Sequence, residues 1–312
     1  MATYLVTGGC GFIGSHLADA LVARGDRVRI LDDLSTGHRE NAPKAAEIVI
    51  GDVADAVTVR AAMAGMDGCF HLAAIASVER GNQDWAGTHR VNLGGAIHVL
   101  DAARKGPPGA PVPVVYASSA AVFGDNPEMP LTEASAVRPI SAYGADKLGC
   151  EQHARVAWLV HKVPAVGLRF FNVYGPRQDP RSPYSGVISI FADRVIRGQE
   201  LTIFGDGGQT RDFIYVGDVV RMLLAAMAKA GQRPAQAYNV CTGKQTSVRE
   251  LAELVFELRG KPPRIAFAEA RLGDIRVSVG DGAKAAAELG VRAQTALRDG
   301  LKVTLDSLAP AG

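Results

Sequence analysis

Tyr143 and Lys147, in the run Tyr-Gly-Ala-Asp-Lys, stand four residues apart. On a helix that spacing puts a phenol and an ammonium on one face, one turn from each other. A neighbouring positive charge favours a phenolate over a phenol of ordinary pKa about 10, so such a side chain can trade a proton near neutrality. The spacing alone is common, and a solvated helix pair shows it too; its meaning depends on its surroundings. Two hydroxyls, Ser118 and Ser119, precede the pair at the end of an apolar run. Residues so placed either finish a strand and cap a turn, or stand beside the phenol as hydrogen-bonding partners.

A second constellation lies near the N-terminus. Thr7-Gly-Gly-Cys-Gly-Phe-Ile-Gly14 follows one apolar run and opens a helical pattern, with Gly8, Gly11 and Gly14 evenly spaced. Glycines at such a junction allow a tight turn, close backbone approach to a pyrophosphate, and close packing of helix on strand. The anion then meets unpaired N–H groups at the positive end of the helix dipole. Asp32 closes the next strand about 20 residues on, where a carboxylate can take both hydroxyls of a ribose. It would also repel a 2′-phosphate, which favours NAD over NADP. Asp33 and Ser35-Thr36-Gly37 follow, so a plain turn is the alternative role for Asp32. Asp52, after the third strand, has two roles open to it: the adenine edge, or the N-cap of the following helix.

Elements must hold these groups in place. Apolar runs at 4–7, 28–31, 48–50, 68–71, 112–116 and 165–169 read as buried strands, and helical patterns at 12–24, 53–64, 85–104 and 142–161 lie between them. Alternation of this kind gives right-handed crossovers and a parallel sheet covered on both faces. The expected fold is therefore α/β, a doubly wound parallel Rossmann sheet with a smaller C-terminal lobe. Residues 172–186, rich in Pro, Gly, Arg and Tyr, read as a long functional loop. Further helices are expected at 187–197, 216–230, 248–258 and 283–289, with strands at 201–204 and 237–241. The division expected is 1–171 for the dinucleotide domain, with 212–240 returning to it, and 172–312 mostly for a substrate lobe.

Composition excludes several classes. The 312 residues are 47% hydrophobic and 21% charged with a net charge of +2, and no basic run is present, so nucleic acid is not an expected partner. The four cysteines have neither metal-ligand nor disulfide-framework spacing, which points to reduced thiols and no metal site. No cleavable leader or membrane-spanning run is evident, and a cytoplasmic protein is expected.

With these residues in order, the sequence resembles the extended short-chain dehydrogenases/reductases, in particular the sugar-nucleotide epimerase/dehydratase family. The resemblance rests on 7–14, Asp32, Gly51-Asp52, His71-Leu-Ala-Ala74, Asn92, Ser118-Ser119, Tyr143 with Lys147, 169–177 and 211–216. Within the family it is nearest to enzymes that epimerise UDP-hexoses at C4. It implies a tightly held NAD touching Gly8, Gly11, Phe12, Ile13, Gly14, Asp32, Asp33, Ser35, Thr36, Gly37, Asp52, Val53, Leu72, Ala73, Ala74, Tyr143, Lys147 and Phe170. Tyr143 would take the proton of the sugar 4-hydroxyl, Lys147 would hold the nicotinamide ribose, and Ser119 would hydrogen-bond the 4-oxygen. His71 reads as a strand-end structural residue rather than a catalyst.

For the nucleotide sugar, the resemblance implies Asn172, Val187 and Ile188 near the phosphates and Thr202 and Phe204 at the uracil. It sets Arg211 and Arg271 on the diphosphate and Asp274 on the uridine ribose. Two guanidinium groups suit a diphosphate through charge-assisted pairs of hydrogen bonds. Ser77 and Val78 would line the sugar pocket. Ala76 stands where some glucose-selective relatives carry a Lys, and Ala121 where similar epimerases often carry Thr. Ser278 aligns with a position that is small in epimerases accepting N-acetylated sugars, and leaves room for an acetamido group.

Family dehydratases carry an Asp-Glu pair where Ala120-Ala121 stands, so the acid and base for eliminating water are missing. The remaining alternatives are a UDP-glucuronate 4-epimerase or decarboxylase, a sugar-nucleotide reductase, or a non-catalytic NAD-binding regulator; the last is disfavoured by the retained Ser119, Tyr143 and Lys147. The resemblance also implies a homodimer, paired through a four-helix bundle of the helix after Asp84 and the Tyr143 helix.

Overall fold

Each apolar run of the first half becomes a parallel strand: β1 (Thr3–Thr7), β2 (Arg27–Asp32), β3 (Glu47–Ile50), β4 (Gly68–His71), β5 (Val114–Ser119) and β6 (Ala165–Phe170). A seventh strand, Gln236–Val240, pairs with β6, and the order across the sheet is Gln236–Val240, β6, β5, β4, β1, β2, β3. This is a computed structural model, and it describes residues 1–104, 110–180, 186–270 and 275–308. The strand order reverses beside β1, from which the chain runs to β2 and β3 on one side and to β4, β5 and β6 on the other. Ligands of such sheets sit at that reversal, outside the carboxyl ends of the strands. The doubly wound sheet is thus as expected.

Strand alternation explains why apolar residues sit next to one another in these runs: both faces of the sheet are covered. Leu5 and Val6 are both fully buried, yet belong to opposite faces; so do Leu31 and Ile30. On one face Val6, Ile30 and Phe70 pack with Leu17 and Leu21 of α1 (Phe12–Ala23) and with Val219 and Leu223 of helix Val216–Lys229. On the other, Leu5, Leu31, Val114 and Tyr116 pack with Val59, Met63, Val99, Cys150 and Ala154. Truncating any one of these leucines to Ala would cost about 2–5 kcal/mol. All four cysteines are buried and free.

Helix Ala142–His161 starts at Ser141, whose side chain accepts from the Gly144 N–H at 3.1 Å, and stops where Lys162 turns left-handed. The expected helix at 85–104 is interrupted by a π-helical turn, Arg90–Gly94. Within it the buried Asn92 exchanges two hydrogen bonds with the Ile75 backbone, at 2.8 and 3.1 Å, and so pins the segment leaving β4. β5 starts two residues later than the apolar run, because Pro113 has no N–H for the ladder, and runs on to include both serines.

The second region is built differently. Its strands are short: Asn172–Tyr174 pairs with Phe213–Tyr215, Leu201–Phe204 with Ile265–Ala268, and Thr210–Arg211 lies between Thr246–Ser247 and Val277–Ser278. Helices Val187–Ile196, Val248–Leu258 and Leu297–Leu308 enclose a separate core of Phe191, Val195, Leu251, Val255, Leu301 and Leu305. The segment read as a loop from 172 therefore begins as a strand, while 181–185 lies outside the described residues. Among the described residues, no helix is long and apolar enough to cross a membrane.

Candidate functional site

A cleft of about 640 Å³ lies at the strand-order reversal, and every residue assigned above to the dinucleotide lines it, from Gly8 to Phe170. Its floor is backbone. Gly8 has φ +70°, and a Cβ there would come within 2.8 Å of the Ala73 nitrogen. A Cβ on Gly14 would be driven into the Gly8 carbonyl oxygen. α1 begins at Gly11 on the cleft wall with no side-chain cap on its first-turn N–H groups. Those donors and the helix dipole suit a pyrophosphate.

Asp32 is 5% exposed; its carboxylate accepts from the N–H groups of Cys10 and Leu34, both at 2.9 Å. Burial raises its pKa above the usual carboxylate value, against the pull of those two bonds. Two donors fill about half of a carboxylate's acceptor sites, which leaves capacity for a ribose diol. Asp33 is used locally, taking the Ser35 N–H and hydroxyl. One alternative for Asp52 falls: the next helix starts at Ala56 and is capped by Asp55. Asp52 instead accepts from Ala54 and pairs with Arg90 at 3.1 Å, on the cleft wall. A dinucleotide thus fits the donor set, with N–H groups for phosphate and a carboxylate for ribose.

Ser119, Tyr143 and Lys147 meet on the same cleft. The Ser119 hydroxyl accepts from the Ala121 N–H at 3.1 Å, capping the short turn Ala120–Phe123, and keeps its own proton to donate. Lys147 is 3% exposed; its Nζ donates to the Ala117 carbonyl at 2.9 Å and lies 5.7 Å from the centroid of the Tyr143 ring. His71 is buried against Thr7, with 2.8 Å between Nδ1 and Oγ1. Burial, aided by the Lys147 charge, lowers its pKa to about 3. It is a neutral strand-end residue, and it does not line the cleft.

Of the residues assigned to the nucleotide sugar, Ser119 and Asn172 line this cleft. Ser77, Val78, Val187, Ile188, Thr202, Phe204, Arg211 and Ser278 do not. The Ser77 hydroxyl caps helix Val78–Gln83 by accepting from Arg80, and Val78 is half-exposed. Val187 opens helix Val187–Ile196, and Ile188 is buried in the second core. Thr202 accepts from Arg194, and Phe204 ends its strand. Arg211 donates to the Thr210 and Ile275 carbonyls, and stands opposite Ser278 on paired strands. Arg271 and Asp274 lie outside the described residues.

Three arrangements escaped the sequence reading. Ser118 donates to Glu151 at 2.6 Å, and Glu151 forms a buried pair with Arg169; the signal was Glu151 standing four residues beyond Lys147. Asp212, fully buried, accepts from Thr242 twice, from Gly243 and from Gly280, and burial raises its pKa despite those donors. Residues 176–179 form a strap beside the cleft. The Pro176 carbonyl meets His16 at 2.9 Å and Arg177 meets Asp19 at 2.7 Å, both on α1. Nothing local in the sequence announces either long-range arrangement.

Residues 4–241 match the Epimerase family, described as the NAD dependent epimerase/dehydratase family. A UDP-glucose 4-epimerase of Mycolicibacterium smegmatis is 38% identical over 308 residues, 97% of each chain. A UDP-glucose 4-epimerase of Thermotoga maritima, solved with UDP-glucose, is 35% identical at TM-score 0.93, covering 98% of each chain. A UDP-N-acetylglucosamine 4-epimerase of Methanobrevibacter ruminantium, solved with UDP-N-acetylmuramic acid, is 32% identical at TM-score 0.92, covering 98% of this chain and 97% of that one.

Proposed function

The chain belongs to the NAD dependent epimerase/dehydratase family, and from that premise we propose that it is a UDP-hexose 4-epimerase. It interconverts UDP-glucose with UDP-galactose and, by its small Ser278, UDP-GlcNAc with UDP-GalNAc. The observation carrying this reading is the meeting of Ser119, Tyr143 and Lys147 on one cleft, with Ala120-Ala121 where elimination would need an acid and a base.

NAD, held by the N–H groups at the start of α1, by Asp32 and by Lys147, supplies reversible hydride acceptance at the sugar. The protein's own work is proton transfer and orientation. The Tyr143 oxygen takes the proton of the 4-hydroxyl and later returns it; Ser119 donates a hydrogen bond to the same oxygen and steadies it as a ketone. Lys147, fixed on the Ala117 carbonyl, keeps positive charge beside the phenol. The 4-keto sugar turns about its phosphate link between the two half-reactions, so the sugar pocket must grip loosely and the nucleotide firmly. Residues 172–312 provide most of that grip, with Asn172, Arg211 and Arg271 on the phosphates. Residues 1–171, with 212–240, hold the cofactor.

A homodimer in the cytoplasm is part of the same proposal. Trp85, Val156, Leu159 and Val160 are all at least half exposed on the two helices assigned to a four-helix bundle, an apolar face that a second copy would cover. Incubation with UDP-glucose, UDP-galactose, UDP-GlcNAc, UDP-GalNAc and UDP-glucuronate, without added NAD, tests the activity. Failure to convert any of the five sinks it. Conversion of the non-acetylated pair alone removes the role given to Ser278.

A further inference from the structure

Helix Ala142–His161 touches the end of β5 at two points one helical turn apart. Lys147 Nζ donates to the Ala117 carbonyl at 2.9 Å, and Glu151 Oε1 accepts from Ser118 Oγ at 2.6 Å. Ala117 and Ser118 immediately precede Ser119. Glu151 also receives Nε and Nη2 of Arg169, at 2.9 and 2.8 Å, from the end of β6. The guanidinium lies 4.9 Å over the ring of Phe123, in the turn that follows Ser119. Both charges are inside the protein, with side chains 7% and 9% exposed. One carboxylate therefore ties the helix, β5 and β6 together at the level of the reacting groups, without itself lining the cleft.

Tyr143, Lys147 and Glu151 form one row along the helix, four residues apart. Lys147 has a cofactor to serve as well as a carbonyl. Glu151 has no such second duty, and its two partners sit on the strands that carry Ser119 and Phe170. A helix slid along β5 by a fraction of an ångström would change the separation of the Tyr143 and Ser119 oxygens, and proton transfer falls steeply with such misplacement. We propose that Glu151, through Ser118 and Arg169, is a positioning residue for the epimerisation, fixing the register of the Tyr143 helix against the strand that bears Ser119. This rests on the roles given above to Tyr143 and Ser119.

A purely structural ion pair makes a different prediction. Its loss would lower stability, by leaving a buried charge uncompensated, and leave each surviving folded molecule as fast as before. The test compares the holoenzyme with Glu151→Gln, which keeps shape and one acceptor but loses the charge, and with Ser118→Ala, which cuts the β5 arm and leaves the ion pair whole. Turnover is measured per mole of bound NAD, with kcat and KM for a UDP-sugar resolved separately. The expected result is a fall in kcat of about ten-fold or more in each, with KM changed by less than about two-fold. The double variant should be no slower than the worse single one, because both cut a single path. A normal kcat in the variants that fold, or a rise in KM with kcat unchanged, overturns the proposal. If Glu151→Gln does not fold, Ser118→Ala decides by the same criteria. An inactive wild type overturns the epimerase reading and this inference together, whereas an active wild type with equally fast variants overturns only the inference.

Discussion

The two regions of the molecule are held together by opposite materials. In the sheet region the cleft floor is backbone: glycines at positions 8 and 14, the open start of α1, and strand ends that deliver Ser119 and Asp32. In the second region, strands of two to four residues are held by buried side chains, and at its border with the sheet region Asp212 draws the segments at 242–243 and 280 onto one carboxylate. A site of backbone holds its shape through the fold and rejects added atoms. A site of side chains can be retuned by substitution, at a cost spread over the network. The difference teaches that the sheet region tolerates little change at its floor, while the second region can be altered one side chain at a time.

Four substitutions sharpen or break that contrast. Tyr143→Phe should cost about 10³-fold in turnover, about 4 kcal/mol of barrier, while bound NAD and UDP-sugar affinity hold. Near-normal turnover would refute the assigned proton transfer. Gly14→Ala should cost about 3 kcal/mol in thermal unfolding and empty the cofactor site, since its new methyl meets a backbone carbonyl that cannot yield. Full NAD content in that variant would show that the floor is softer than its geometry implies.

Asp212→Asn tests the side-chain network at the point where the chain passes back towards the cofactor half. One amide face would point N–H at N–H, so about 2 kcal/mol of stability should go, with KM for the UDP-sugar raised and bound NAD kept. Loss of NAD instead would mean that the two regions are not separable. The effect that is smallest at neutral pH, and grows only on acidification, concerns His71. His71 ionises near 6.5 in the unfolded chain but only near 3 when folded. Between those values the unfolded state binds the extra proton, so stability is complete above pH 6.5 and falls as pH drops through the window. The slope from this group is at most about 1.4 kcal/mol per pH unit. Denaturant titrations from pH 7 to 4 should show a shallower acid limb for His71→Gln; an unchanged limb would assign the loss to other groups.

The same contrast governs what could be read in the sequence. The sheet and its cleft were legible because their signals are local: apolar runs of strand length, glycines at fixed intervals, and Tyr143 and Lys147 one turn apart. Helices with a clear apolar period, such as Val248–Leu258, were read to the residue. The two- and three-residue strands around Arg211 were not, because so short a segment has no period and exists only through partners far along the chain. Helix Leu297–Leu308 was overlooked for its mixed polarity; its Leu301 and Leu305 find their core only in three dimensions. Glu151 was hidden in a different way: its spacing was visible, but Arg169 reaches it only once β6 lies beside β5.

The seventh strand carries a consequence for the order in which the molecule can be made. Gln236–Val240 closes the side of β6, but it is synthesised only after the whole stretch from 171 to 235 has emerged. Until then β6, buried over five of its six residues in the finished fold, is an unpaired and mostly apolar edge. Chains in that state are prone to pair with one another, and the long separation between the partners slows closure. A fragment ending before residue 236 should therefore aggregate although it holds every glycine of the cofactor floor and the whole Ser-Tyr-Lys set. The half that carries the cleft depends on the strand that the sequence delivers last of the seven in its sheet.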